Sequence, residues 1–322
     1  MLFRSVNPRA CHETELIIKP AHRPKRIAVV GAGPAGLAAA VTAAQRGHRV
    51  TLYEAAREIG GQFNMAKRIP GKQEFHETLR YFSRQLELTQ VELQLGRQAD
   101  AEKLCALGFE EVVFATGVLP RNPTIPGLDH PKVLSYVDVL LRNKPVGRSV
   151  AIIGAGGIGF DVAEFLADTE ASSNLDASRF FLEWGVDRDY KMRGALTASQ
   201  VEPPERNITL LQRKTMPFGK SLGKTTGWIH RASLRHKQVK MLSGVRYERI
   251  DEAGLHIRIN GEPQLLTVDN VIICAGQECN LQVYNAFKTQ RVPVHLIGGA
   301  RLATELDAKR AIDEGMRLAA TL

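Results

Sequence analysis

The chain has 322 residues, long for one core and comfortable for two domains. Hydrophobic residues make up 44% and charged residues 24%, the balance of a globular protein, and no apolar run approaches the roughly 20 residues that span a membrane. The net charge is +9, but the basic residues are scattered without a run of five and aromatics are only 6%; this argues against a stacking platform for nucleic acid and leaves phosphate-bearing small ligands to account for the excess.

Residues 1–24 carry Pro8, Pro20 and Pro24 with little periodicity and read as a linker arm. Met1–Ser5 has no apolar h-region of a signal peptide, so a cytoplasmic protein is expected. Ile27–Val30 is a short apolar strand, Leu37–Arg46 an Ala-rich helix ended by Gly47, and Arg49–Tyr53 the next strand, together a βαβ unit. A polar-faced helix is expected over 74–87 and a buried strand over Val112–Ala115, closed by Thr116 and Gly117. The pattern then restarts, with Ser149–Ile153 a strand, Gly154–Gly159 a turn and Phe160–Ala167 a helix. Residues 168–207 are polar, aperiodic and Pro-containing, an insertion before the strand Ile208–Gln212. Short strands alternate over 238–268 with a hairpin turn at Asn260-Gly261. Val271–Ala275 is again a buried strand, His295–Ile297 leads into Gly298 and Gly299, and 307–320 form a closing amphipathic helix.

The βαβ unit is therefore used twice, and each copy carries a Gly-rich fingerprint. In the first, Gly31 permits a tight turn, Gly33 lets backbone approach a pyrophosphate, and Gly36 lets helix and strand pack closely. The helix N-terminus then offers free N–H groups and a positive dipole end to phosphate. Glu54 stands 18 residues beyond Gly36 at a strand end, where an acid accepts from a ribose 2′-OH and repels a 2′-phosphate. This lobe is expected to hold FAD or NAD, not NADP. Gly60-Gly61-Gln62-Phe63 and Ala115-Thr116-Gly117 resemble motifs of flavoproteins with two dinucleotide-binding domains and select FAD. In the second fingerprint, Gly154, Gly156 and Gly159 repeat the pattern, but the next strand ends in Gln212-Arg213-Lys214. Two adjacent cations suit a dianionic 2′-phosphate, hence NADPH. The competing reading is a pair of solvated surface cations, because Gly159 and Arg213 stand 54 residues apart where about 20 is usual.

Other patterns carry less. Gly219–Thr225 has three residues between its glycines where a nucleotide-triphosphatase loop needs four. Cys274 and Cys279 end a late strand and read, with Cys11 and Cys105, as reduced thiols. No Cys-x-x-Cys pair offers zinc or iron–sulfur ligands. His76, His230, His236 and His256 show no metal-site spacing, and Glu305 and Asp307 read as helix caps or dipole partners.

These motifs, with Val6–Cys11, Gly223–Arg231, Cys274–Gln277, Leu296–Ala300 and 305–311, resemble the C-terminal half of the bacterial NADPH-dependent 2,4-dienoyl-CoA reductases, among the trimethylamine dehydrogenase and old yellow enzyme-related flavoproteins. The resemblance implies an α/β fold of two Rossmann-like domains, FAD-binding over 25–146 and 271–322 and NADPH-binding over 147–270, the second inserted in the first. It places Ala35, Glu54, Gln62, Lys72 and Ala99 on FAD-contacting positions, and Arg213 and Lys214 on the NADPH phosphate. With the glycines already named, Gly276, Gly298 and Gly299 complete the nucleotide-binding set.

The family enzyme also carries an FMN-bearing (β/α)8 barrel and a cysteine cluster for a 4Fe–4S centre, whose binding residues are absent here. Cys11 falls after that cluster, and Met1–Ser5 resembles foreign or frame-shifted sequence. The expected role is NADPH-to-FAD hydride transfer in unsaturated fatty-acid oxidation, completed by a separate FMN and iron–sulfur barrel protein or another electron acceptor. The alternatives are a stand-alone ferredoxin-type NADPH:acceptor flavin reductase and a non-catalytic remnant. No catalytic side chain, metal, nucleic acid or membrane partner is expected, since the cofactors carry the chemistry.

Overall fold

The computed structural model describes residues 6–168, 176–220, 222–223, 225–288, 290–304 and 307–322. Met1–Ser5, Lys224 and Glu305, each given a reading above, lie outside the described residues. The chain divides into two compact units: Met1–Lys67, Glu74–Leu119 and Gln277–Leu322 form the first, Arg68–Gln73 and Pro120–Gly276 the second. Both are α/β with a five-stranded parallel sheet.

In the first unit, strand β1 (Arg26–Val30) runs into helix α1 (Pro34–Gln45) and then strand β2 (Arg49–Tyr53). The sheet order is Val294–Leu296, Glu111–Phe114, β1, β2, Glu92–Gln94. Ile27 and Val29 enter the core under α1, while Ala28 and Val30 enter a second core with Phe114 and Phe287. Burial on both faces explains why β1 reads as a continuous apolar run rather than an alternating one. Helix α1 starts at Pro34, earlier than the expected Leu37, because proline's fixed φ suits a first helical position and its missing N–H is no loss there. Its all-round Ala and Gly surface allows a close crossing with the closing helix Ala308–Ala319: a Cβ on Gly315 would lie 2.2 Å from the Ala35 carbonyl oxygen. The N-terminal arm is tied down, with Ala21 N–H donating to Arg46 O (2.8 Å), Arg46 Nε to Lys19 O (2.9 Å), and Leu16 buried.

In the second unit, strand β3 (Ser149–Ile153) is followed by helix α2 (Gly157–Ala167), strand β4 (Asn207–Leu211), helix α3 (Gly227–His236) and strand β5 (Lys240–Leu242). The sheet order is Val133–Ser135, Asn270–Ile273, β3, β4, β5. One face, with Ala151, Ile153 and Leu211, packs on the three-stranded antiparallel meander Val245–Asp251, Gly254–Ile259 and Glu262–Leu266. Asn260 (φ 51°) and Gly261 (φ 90°) close its second hairpin as the expected two-residue turn. Leu210 faces the other way, toward Gly159 of α2.

Residues 120–146 and 271–276, expected in the first domain, stand in the second unit: Val271 pairs with both Val133 and Ala151 in its sheet. A buried parallel strand reads as the same apolar run whichever sheet receives it, so local pattern does not assign it. The insertion over 168–207 has regular structure in its described part. Asp176 caps a helix over Ala177–Glu183, accepting from Ser178 N (2.9 Å) and Arg179 N (3.2 Å).

Candidate nucleotide sites

The first fingerprint is held by contacts that only glycine permits. Gly31 has φ +106°, and a Cβ there would lie 2.4 Å from Ala115 O; one on Gly36 would lie 1.8 Å from Gly31 O. Gly33 is different, since a Cβ there would meet nothing within 4 Å. Its extended backbone caps α1 without any side chain, leaving the helix N-terminus open to a ligand. The turn at Gly60-Gly61 closes onto this loop: Gly60 N–H donates to Ala32 O (2.8 Å), and a Cβ on Gly61 (φ +52°) would stand 3.0 Å from Gly33 Cα. Gln62 follows as the N-cap of the short helix Phe63–Ala66.

Glu54 sits beside this turn, half-buried, with Oε2 accepting from Ala32 N (2.8 Å) and Oε1 from Ala56 N (2.9 Å). Those bonds fix the carboxylate and leave lone pairs for further donors. Gly298 (φ +59°) donates its N–H to Glu314 Oε2 (2.7 Å), and a Cβ there would lie 2.8 Å from that of Ala35. Gly299 is buried next to it. Thr116 Oγ1 donates to Asn280 O (2.6 Å), just before Gly117 (φ +70°). Ala99, like Tyr53, packs against the core of Ala28, Val30, Phe114 and Phe287 on the opposite face of the sheet. Of the residues expected in the FAD domain, Lys72 and Gly276 stand in the second unit.

The second fingerprint repeats the first. Gly154 has φ +110° with Cys274 O 2.3 Å from a would-be Cβ; a Cβ on Gly159 would lie 1.8 Å from Gly154 O; Gly156 faces open space and caps α2 without a side chain. The long spacing to Arg213 leaves the geometry intact. Strand β4 pairs β3 directly in parallel, Ser149 with Asn207 through Ile153 with Leu211, so the insertion leaves the sheet between α2 and β4 and returns to it. Arg213 and Lys214 therefore follow the second strand of their βαβ repeat as Glu54 follows β2. Both are exposed, and their side chains make no hydrogen bond or ion pair among the described residues. Gly276 (φ +106°) lies beside Arg121, whose guanidinium bonds Ala275 O; a Cβ at Gly276 would lie 2.9 Å from Arg121 Nη2.

Lys72 Nζ pairs with Asp161 Oδ1 at 2.5 Å, and one helical turn further along α2 His230 Nδ1 meets the buried Glu164 Oε1 at 2.9 Å. Burial pushes the Asp161 carboxyl up against the opposing pull of Lys72. The hydrogen bond that His230 makes to the Glu164 carboxylate raises its imidazole pKa, against the opposing effect of burial. In the linear sequence the one signal of this cluster is two acids three residues apart within the otherwise apolar α2. Cys274 and Cys279 are free thiols, with burial raising that of Cys274. Asp307 caps the closing helix, accepting from Arg310 N (2.7 Å). Among the described residues no cluster of His, Cys, Asp and Glu is suited to a metal ion, and no helix is long and apolar enough to cross a membrane.

Comparison with known proteins bears on these two turns. A family model described as pyridine nucleotide-disulphide oxidoreductase matches residues 25–304. A metal reductase of Desulforamulus reducens is 30% identical over 299 residues, which cover 92% of this chain and 44% of that protein. A bilirubin reductase of Mediterraneibacter gnavus is 30% identical over 312 residues, 96% of this chain and 43% of that protein. A solved complex of 2-naphthoyl-CoA reductase with 2-naphthoyl-CoA aligns at TM-score 0.83 and 26% identity, covering 99% of this chain and 43% of that one. The chain thus spans less than half the length of these relatives.

Proposed function

Because the chain belongs to the pyridine nucleotide-disulphide oxidoreductase family, a flavin- and pyridine nucleotide-dependent oxidoreductase module, we propose that its first fingerprint holds FAD and its second NADPH. When bound, these cofactors supply the chemistry, a hydride passing from the nicotinamide to the flavin. The protein's part is to bind and to discriminate. Gly33 and Gly156 leave room for a pyrophosphate against a helix N-terminus, so both turns fit a dinucleotide.

The observation that carries the assignment is the opposite charge at matching positions. Glu54 favours a ribose with free hydroxyls; Arg213 and Lys214, without partners of their own among the described residues, favour a 2′-phosphate. We further propose that electrons leave for a separate FMN and iron–sulfur protein or another acceptor, as the nucleotide half of a 2,4-dienoyl-CoA reductase-like reaction in fatty-acid oxidation.

The test is spectroscopic. Purified protein supplied with FAD is expected to retain flavin absorbance after gel filtration and to bleach anaerobically with NADPH faster than with NADH. Protein that stays colourless is the outcome of a non-catalytic remnant and removes the enzymatic reading. Turnover with a dienoyl-CoA once a barrel partner is added, against turnover with ferredoxin alone, separates the two acceptors.

A further inference from the structure

Beside β5, the edge strand of the second unit, lies a cavity of about 660 Å3. Its floor comes from alternate residues of one extended stretch, Val239, Met241 and Ser243, which share a face. Arg231 and Arg235, four apart on α3 and so on one helix face, supply its charge, and Phe218 its aromatic wall. Arg231 is oriented by donating Nη1 to Phe218 O at 3.0 Å. Among the described residues, Arg235 makes no hydrogen bond or ion pair and no acidic side chain lines the cavity.

Two guanidinium groups over an apolar floor suit an organic phosphate with a flat ring, the forks taking the oxyanion and Phe218 with Met241 the ring. The cavity also adjoins the Arg213–Lys214 tip: Gly244 N–H, next to Ser243, donates to Lys214 O (3.3 Å), and Val245 N–H to Gln212 O (3.0 Å). We propose that this groove is a phosphate-ring binding site with Arg235 as its main anion ligand. The phosphate has two possible sources: the 2′-phosphoadenosine end of NADPH, which rests on the assignment above, or a separate nucleoside phosphate.

The test titrates the full FAD-loaded chain calorimetrically with 2′,5′-ADP, 5′-AMP and inorganic phosphate. Wild type is compared with Arg235→Glu and Arg213→Glu, both surface changes. Arg235→Glu is expected to weaken at least one probe by about tenfold or more, the scale of a lost charge-assisted bond. Loss of 2′,5′-ADP binding in both variants identifies the cofactor's own end as the occupant. Loss of 5′-AMP binding in Arg235→Glu alone identifies a separate nucleotide. Wild-type affinity of Arg235→Glu for all three probes, or no binding of any probe by wild type, overturns the site. Unchanged 2′,5′-ADP binding in Arg213→Glu overturns the NADPH assignment instead and leaves the 5′-AMP result to decide the groove.

Discussion

The two fingerprint turns are built alike and are read differently. In each, a first glycine at positive φ touches a neighbouring strand's backbone, a last glycine holds its helix against the first, and a middle glycine faces open space. The contacts agree to a tenth of an ångström, 2.4 and 2.3 Å at the first glycine and 1.8 Å at both last glycines. What differs lies one strand away, an acid bonded into the first turn and two cations without partners among the described residues in the second. Under the proposed assignment, binding a dinucleotide is a property of backbone geometry that the fold repeats, while choosing among dinucleotides would rest on one or two side chains that each copy sets for itself.

The largest expected effects come from breaking the shared part. Gly36→Ala and Gly159→Ala each place a methyl group where backbone oxygen stands, so helix and strand must separate. Each is expected to cost about 1–3 kcal/mol in urea unfolding, the usual scale of overpacking. The comparison sharpens in the ligands. Gly36→Ala is expected to emerge without flavin, while Gly159→Ala keeps its flavin colour and loses reduction by NADPH. Loss of the same cofactor from both variants breaks the assignment of one nucleotide to each turn.

A smaller effect tests the differing part. Arg213→Glu is expected to raise the KM for NADPH by roughly thirtyfold, about 2 kcal/mol for a lost charge-assisted contact plus repulsion, with little change for NADH. Equal effects on both nucleotides remove the 2′-phosphate reading. Glu54→Gln keeps shape but not charge, and a weaker hold on FAD by up to about tenfold is expected in equilibrium dialysis.

These contrasts were legible because they are local. Glycine spacing, an acid after one strand and cations after another survive in a linear string, and the βαβ texture around each set their structural context. What the string hid is pairing at a distance. Lys72 follows the first fingerprint in sequence, yet its ammonium finds Asp161, 89 residues on, in the second unit. Val271–Ile273 carry no mark of the sheet they join. Nothing in the string joins Arg231 and Arg235 to the alternate residues of the edge strand that form a floor beside them.

The smallest expected effect extends the comparison to two His–Glu pairs, one in each unit, whose titrations shift in opposite directions. In the first unit the buried Glu111 accepts from Lys25 Nζ (2.7 Å) and pairs with His295 Nε2 (2.7 Å). Burial pushes its carboxyl up, but these two partners together outweigh burial and hold it below its ordinary range. A depressed acid contributes stability above its unfolded pKa and loses it as pH falls through the folded value. In the second unit Glu164 raises His230, so that contribution is complete below the imidazole's unfolded pKa, near 6.5, and is lost as pH rises through the raised folded value. Urea unfolding against pH is therefore expected to decline on both sides. Glu111→Gln flattens the acid limb, and His230→Gln flattens the limb above pH 6.5 by about 1 kcal/mol or less, since His230 remains partly exposed to solvent. A His230→Gln curve parallel to wild type over that range shows that Glu164 holds this histidine for packing alone.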